Sequence, residues 1–463
     1  MKFKTTIILF AVFLVLLTTI LLFEFKGKGE EYEEKKLVAL SSDEVTKIIF
    51  KKPDETLTFE IDEEGEWLIK DPLEAKADKY EVNRLAENFS DLRIERVVEE
   101  MSENPGKYEI PQKEISLYFK DKEQPVKILI GMENPLDNTF FAKREDEERV
   151  VLVPSHLKSL MEKKIFDFRK KDIFNFVTDN VKNIKLRAKK IQWEAQQKEA
   201  EWFLTKPAGA LAKSSQINDI LSSLSNLKAK EFVSEDKTKE EIKKYGLGTS
   251  EYQITLSIPS ENQEITFSVQ KEEDKVYATT SLSSKIVQTE DSILSDLEKQ
   301  AEELREKKVS SFYSWEVKKL HLKKGKIDLT VAKGEEDKWF FESPLKEEAD
   351  KNKIETFIRK IESLEADEFI DPPLNLEDHG LEEPKAEVKI WVEEDEEKIK
   401  EITVFIGSED KEAKKVAVRN ARFGYLFRID SSFLEEFPRD MKDWKLEEKK
   451  EEKESVFFMN NSG

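Results

Sequence analysis

The chain has 463 residues, 38% of them hydrophobic and 38% charged, with 14 glycines, no cysteine and a formal net charge of −21. That length suits roughly two to four domains, each with its own core. The missing cysteine excludes disulfides, thiolate nucleophiles, cysteine metal sites and lipid attachment through an N-terminal Cys. The acidic balance, with no basic stripe, argues against a nucleic-acid partner, whose phosphates need clustered Lys and Arg.

The chain opens on a greasy run. Thr5 to Phe23 carries no charge, and Lys2 and Lys4 precede it. As a helix, 19 such residues span about 28 Å, close to the hydrocarbon thickness of a bilayer. Residues 1–26 are therefore expected to form a transmembrane anchor with its N-terminus in the cytoplasm. The exit "LLFEFKGKGE" is bulky and charged, without the small-residue pattern of a cleaved signal peptide. The expected location is the cell membrane, inner in a two-membrane cell, single-pass, with the bulk of the chain extracytoplasmic. Residues 27–42 read as an acidic linker.

Past the linker the sequence repeats. Trp67, Trp202 and Trp339 are separated by 135 and 137 residues, and Pro72, Pro207 and Pro344 keep the same offset from them. Ahead of each Trp stand two alternating apolar segments, such as Val45, Ile48, Phe50 and then Leu57, Phe59, Ile61. Period two reads as strands with one buried face. After each Pro the period becomes helical: Val82, Leu85, Phe89; Ile217, Ile220, Leu224; Ile354, Phe357, Ile361. Asp78, Ser214 and Asp350 stand where they could cap these helices, and Glu81 completes a capping box only for the first. The Trp is placed to bury its ring against the helix, and the Pro to keep the residue before it extended. These six residues are thus read as structural repeat positions.

A turn signature follows in each copy, "KYEIP", "KYGLG" and "DHGLEEP", then further strands. A second amphipathic helix is expected at each end, in "SHLKSLMEKKIFDFRKKDI", "SILSDLEKQAEELREKKV" and "SFLEEFPRDMKDW"; the first two share Arg169 and Arg305. The fold class is α+β: three tandem repeats, each of antiparallel strands packed with two amphipathic helices. The modules fall at 43–176, 177–312 and 313–446, with a charged tail at 447–463. Units of this size can fold singly, unlike the short repeats of solenoids.

An anchor followed by a repeated Trp-x-x-x-x-Pro, a helix and a "YGL"-like turn resembles the bacterial family of unknown function numbered 4340, over about Asp43 to Trp444. Within the turn, Glu109 replaces the glycine of Gly246 and Gly380, and His379 replaces the tyrosine of Tyr108 and Tyr245. Members of that family are often encoded beside gliding-motility-type ABC transporters, so the resemblance implies an extracytoplasmic accessory role near such a transporter. It brings no catalytic residues.

The residues themselves offer little chemistry. His156, His321 and His379 share no metal-ligand spacing, and no zinc set can form without cysteine. There is no G-x-S-x-G, H-E-x-x-H, Walker loop or EF-hand pattern. Catalytic, cofactor and metal residues are therefore expected to be none. The expected function is that of a non-enzymatic, membrane-anchored accessory or scaffold protein whose partners are envelope proteins such as ABC transporter subunits. The alternatives are an extracytoplasmic hydrolase, which would need paired carboxylates in a cleft, and a ligand-binding receptor, which would need a concavity with fixed polar groups.

Overall fold

The computed structural model describes residues 35–395 and 398–446, together with helical residues Phe13 and Thr18. The expected anchor apart from Phe13 and Thr18, the first half of the expected linker (27–34) and the tail at 447–463 lie outside the described residues. Among the described residues no helix is long and apolar enough to cross a membrane. The chain divides into two compact units at Lys171/Asp172. The first holds one module and the second holds two.

The module of the first unit is a nine-stranded sheet with a helix across one face. Its strands are β1 (Val45–Lys51), β2 (Thr56–Ile61), β3 (Trp67–Asp71), β4 (Ala75–Lys76), β5 (Arg96–Glu99), β6 (Lys113–Phe119), β7 (Val126–Glu133), β8 (Phe140–Arg144) and β9 (Val150–Val153). They lie in the order β4-β3-β2-β1-β6-β7-β8-β9-β5, every pair antiparallel. Strands β4 and β5 flank the helix in sequence, so the helix carries the chain from one edge of the sheet to the other.

The same order recurs twice in the second unit. Its first module runs β10 (Asn183–Ala188), β11 (Ile191–Lys198), β12 (Glu201–Lys206), β13 (Ala210–Leu211), β14 (Ala229–Ser234), β15 (Tyr252–Ile258), β16 (Gln263–Glu272), β17 (Lys275–Thr280) and β18 (Ile286–Thr289). The next runs β19 (Val317–Lys324), β20 (Ile327–Lys333), β21 (Trp339–Ser343), β22 (Glu348–Ala349), β23 (Glu368–Ile370), β24 (Ala386–Asp395), β25 (Lys398–Asp410), β26 (Lys415–Asn420) and β27 (Leu426–Asp430).

Alternation sets the faces. In β15, Tyr252, Ile254, Leu256 and Ile258 are buried while the residues between them are not, as period two requires. The three helices, Lys79–Ser90, Ser214–Ser225 and Lys351–Glu362, each have 12 residues and bury the stripe read from the sequence. Asp78 accepts hydrogen bonds from the backbone N–H of Tyr80 and Glu81, and Asp350 from those of Asn352 and Lys353. Two expectations need correction. Ser214 is not a cap but the first helical residue, because the cap position belongs to Lys213, which offers no acceptor. Glu81 does not close a capping box; it pairs with Lys163.

The expected second amphipathic helix is also corrected. It is reduced to single turns: Leu157–Met161 and Ile165–Phe168, then Ile293–Leu297, then 3-10 turns at Ser431–Glu436 and Met441–Trp444. The chain must straighten to reach the β4-type edge. There Phe168, Leu304 and Trp444 accept hydrogen bonds from the N–H of Asp78, Lys213 and Asp350 at 2.7, 2.7 and 2.8 Å. In the last copy Pro438 also removes a donor and holds Phe437 extended.

Each module begins earlier than its repeat pattern indicated. Leu37, Ile173 and Val309 donate N–H groups to Leu92, Leu227 and Leu364 at 2.7, 3.2 and 2.9 Å, so a short extended segment lies beside the end of each helix. Leu37 and Val38, expected in a linker, are 0% and 1% exposed. Phe174 belongs to the core of the middle module, and Val309 and Phe312 to that of the last.

Candidate functional site

The six repeat positions fall at equivalent places in the three sheets. Trp67, Trp202 and Trp339 lie on β3, β12 and β21 and are 3%, 1% and 1% exposed. The Trp67 indole Nε1–H donates to Oδ1 of Asn83 on the facing helix at 2.7 Å. The indole N–H groups of Trp202 and Trp339 are buried with no acceptor among the described residues. The bonds before Pro72, Pro207 and Pro344 are cis in all three copies, which the sequence pattern did not signal. The three tryptophans sit in the cores, whereas the three prolines are exposed, each just past the end of its strand.

The most elaborate polar arrangement lies inside the second unit, where its two modules meet. Arg305 ends the middle module, bridged to Ala212 beside β13. Its guanidinium donates two hydrogen bonds to the carboxylate of Asp371, Nη1 to Oδ2 at 2.9 Å and Nη2 to Oδ1 at 2.8 Å. The same plane lies 3.8 Å from the Phe369 ring centroid and 4.9 Å from that of Tyr425. A two-pronged pair stacked on aromatic rings is a geometry that Arg supports and Lys does not. Arg305 is 6% exposed and the Asp371 side chain 38%.

Around this group the Tyr425 hydroxyl accepts the N–H of Leu211 at 3.4 Å. Burial pushes the Tyr425 phenol up from its ordinary 10.0 to about 12. Arg422 pairs with Glu201 and lies over Phe203. Asn420 donates to the Val309 carbonyl at 2.8 Å and accepts the Arg422 N–H at 3.0 Å. Beside the joint lies a cleft of about 410 Å³ that includes Ser311, Thr403, Asn420 and Phe423. The sequence singled out Arg305 only as a residue shared with Arg169. Asp371 and Tyr425 were missed because they lie far along the chain and become neighbours only through the sheet order.

The histidines stay apart from this joint. His156 contacts Asn88 Oδ1 through Nε2 at 3.0 Å and does not cap the turn it begins. His321 faces outward between buried Leu320 and Leu322, and its Nε2 lies 3.1 Å from Asp328 Oδ1. His379 sits in the turn before β24. Among the described residues no three His, Cys, Asp or Glu side chains converge as metal ligands. The carboxyl of half-buried Glu99 is held down to about 2, chiefly by its hydrogen bond to Lys107.

Fold and joint together define a tandem-repeat α+β protein built from a nine-stranded antiparallel unit. The model of the family described as domain of unknown function DUF4340 matches residues 67–241 and 202–384, more than half of the chain, and the protein belongs to that family. No curated protein matches it. Among solved structures the chain is similar to a DNA polymerase sliding clamp from Pseudomonas aeruginosa crystallised with a ligand, at 8% identity and a TM-score of 0.16, covering 85% of this chain and 93% of that one. It is also similar to the DNA polymerase III subunit beta of the same organism, at 7% identity and a TM-score of 0.17, covering 85% and 95%. Scores this low define no shared fold.

Proposed function

We propose that the protein is a membrane-anchored, extracytoplasmic scaffold that performs no catalysis and holds components of an ABC-type transporter or other envelope proteins. The joint at Arg305 carries this reading. Its cation, carboxylate and rings are engaged with one another, so they fix one module against the next. A structural spacer needs such rigidity, and a hydrolytic cleft does not. The apolar run at Thr5 to Phe23 supports attachment to a bilayer.

Cross-linking in intact cells, followed by identification of the captured proteins, tests the reading. Transporter subunits or other envelope proteins should be enriched over a control lacking the chain; enrichment of cytosolic proteins alone, or of none, overturns it. Protease added to spheroplasts should digest the modules without lysis. Protection until lysis would place them on the wrong side of the membrane.

A further inference from the structure

In the last module one strand outruns its neighbour. Where β7, β16 and β25 part from the strand that follows each of them, one backbone bond marks the end of pairing. The N–H groups of Glu145, Ser281 and Ala421 donate to the carbonyls of Lys127, Thr266 and Thr403 at 2.9, 2.8 and 2.9 Å. Before that point the strands run on for unequal lengths: β7 starts at Val126, β16 at Gln263 and β25 at Lys398. The middle module closes the end of its pair with a second bond, from the Thr266 N–H to the Ser281 hydroxyl at 3.0 Å. Ala421, at the same place in the register of the last module, has only a methyl group.

The cleft of about 410 Å³ beside the joint runs along this overhang, and Lys400, Glu401, Ile402 and Thr403 all line it. Side chains of a strand alternate between its faces, so consecutive residues share one cleft only where it follows the strand's edge. The bond from Ala421 shows that the Thr403 carbonyl points to that edge. In an antiparallel sheet the alternate residues Glu401 and Ile399 then turn their N–H and C=O groups the same way. The other edge is engaged, with Ile399 to Ile402 facing Glu393 to Ile390 of β24, while β26 begins to face β25 only at Val404. Buried Ile402 and half-buried Phe423 form the apolar part of the cleft. On the other face of the strand Glu401 and Ile399 are exposed, Ile399 by 61%.

We infer that this edge docks an extended segment of another polypeptide, which adds antiparallel to β25 and continues the line of β26. Main-chain groups along a sheet edge are met in full by a further strand; the backbone supplies affinity, and the two faces supply preference. The guest residue beside Ile402 enters the cleft against Phe423 and is apolar. The one beside Glu401 is basic, and the one beside exposed Ile399 is apolar. Charge on an edge guards against pairing at large; here a carboxylate between two apolar contacts selects its guest. The inference does not rest on the scaffold reading. A chain that docks no such segment could still hold envelope proteins through another surface, and a chain without envelope partners could still bind the peptide below.

Fluorescence anisotropy of the labelled peptide Leu-Lys-Thr-Val-Thr-amide, titrated with the full chain in detergent, tests it. Set antiparallel, the peptide brings its Leu to Ile402, its Lys to Glu401 and its Val to Ile399. The N–H groups of its Lys and Val then face the edge, and that of the Thr between them faces away. The peptide should bind; N-methylation at Lys or at Val should weaken it about tenfold, and N-methylation at the Thr between them should leave it unchanged. Glu401→Lys should weaken this peptide and favour one with Glu in place of its Lys, a reversal that a folding defect would not produce. Glu401→Pro deletes an N–H that faces the edge and not β24, so it should keep the melting profile and lose the peptide. No binding, equal losses from every N-methylation, or undiminished binding by a folded Glu401→Pro chain overturns the inference.

Discussion

At the scale of single residues, the three tryptophans share a place but not a set of partners. All three bury a large ring, and truncating any of them to Ala should cost about 3–5 kcal/mol. Trp67 hydrogen-bonds its indole N–H to Asn83, while those of Trp202 and Trp339 are buried without an acceptor among the described residues. Replacement by Phe separates the two effects. Trp67→Phe loses a hydrogen bond with a net worth of about 1 kcal/mol, whereas Trp202→Phe removes a buried donor that was already unsatisfied. Urea unfolding of the full chain should therefore show the larger loss for Trp67→Phe; the reverse order would contradict the assignment. The left-handed turn position makes a related point. Glu109 adopts φ 55°, close to the 64° and 62° of Gly246 and Gly380, so the repeat imposes its backbone even where the residue type is unsuited to it.

At the scale of elements, the helices differ at their N-termini. Asp350→Ala should destabilise its helix by about 1 kcal/mol through loss of the cap, and Lys213→Asp should gain a similar amount by supplying the acceptor that the middle helix lacks. Thermal melts of the two variants check both signs. The pattern of elements explains what could be read in the sequence. Alternation and helical spacing are local, so β1, β2, β15 and the three long helices were legible from their own residues. The spacing of Leu157, Leu160 and Met161 resembles a helical face, but one turn satisfies it, and the demand for an extended return past Phe168 comes from a partner some ninety residues earlier, Asp78. Leu37 and Val38 were hidden within a charged stretch. The Arg305 group was illegible for the same reason as the return strand: Asp371, Phe369 and Tyr425 converge only once the nine-strand order has formed. The cis bonds before the three prolines likewise have no local signal.

At the scale of the whole molecule, the joint predicts that the two modules of the second unit unfold together. Arg305→Ala removes two charge-assisted hydrogen bonds and a ring contact, together worth about 2 kcal/mol. Calorimetry should then resolve the shared transition into two, and Arg305→Lys should restore little, because an ammonium cannot reproduce the planar fork. Alkali probes the same place. The Tyr425 phenol is raised by burial from 10.0 to about 12, so the folded state holds its proton more tightly than the unfolded chain does. Its contribution is complete below pH 10 and falls as pH climbs from 10 toward 12, by about 3 kcal/mol in all. Stability measured across that range should decline, and Tyr425→Phe should flatten the decline. The opening segments also decide how the protein can be dissected. Lys308 already bridges Glu365, and Val309 and Phe312 are part of the last core. A gene fragment started at residue 313, where the visible repeat begins, would yield a polypeptide missing one flank of its own interior and prone to aggregate, whereas a cut at residue 307 would leave that flank whole.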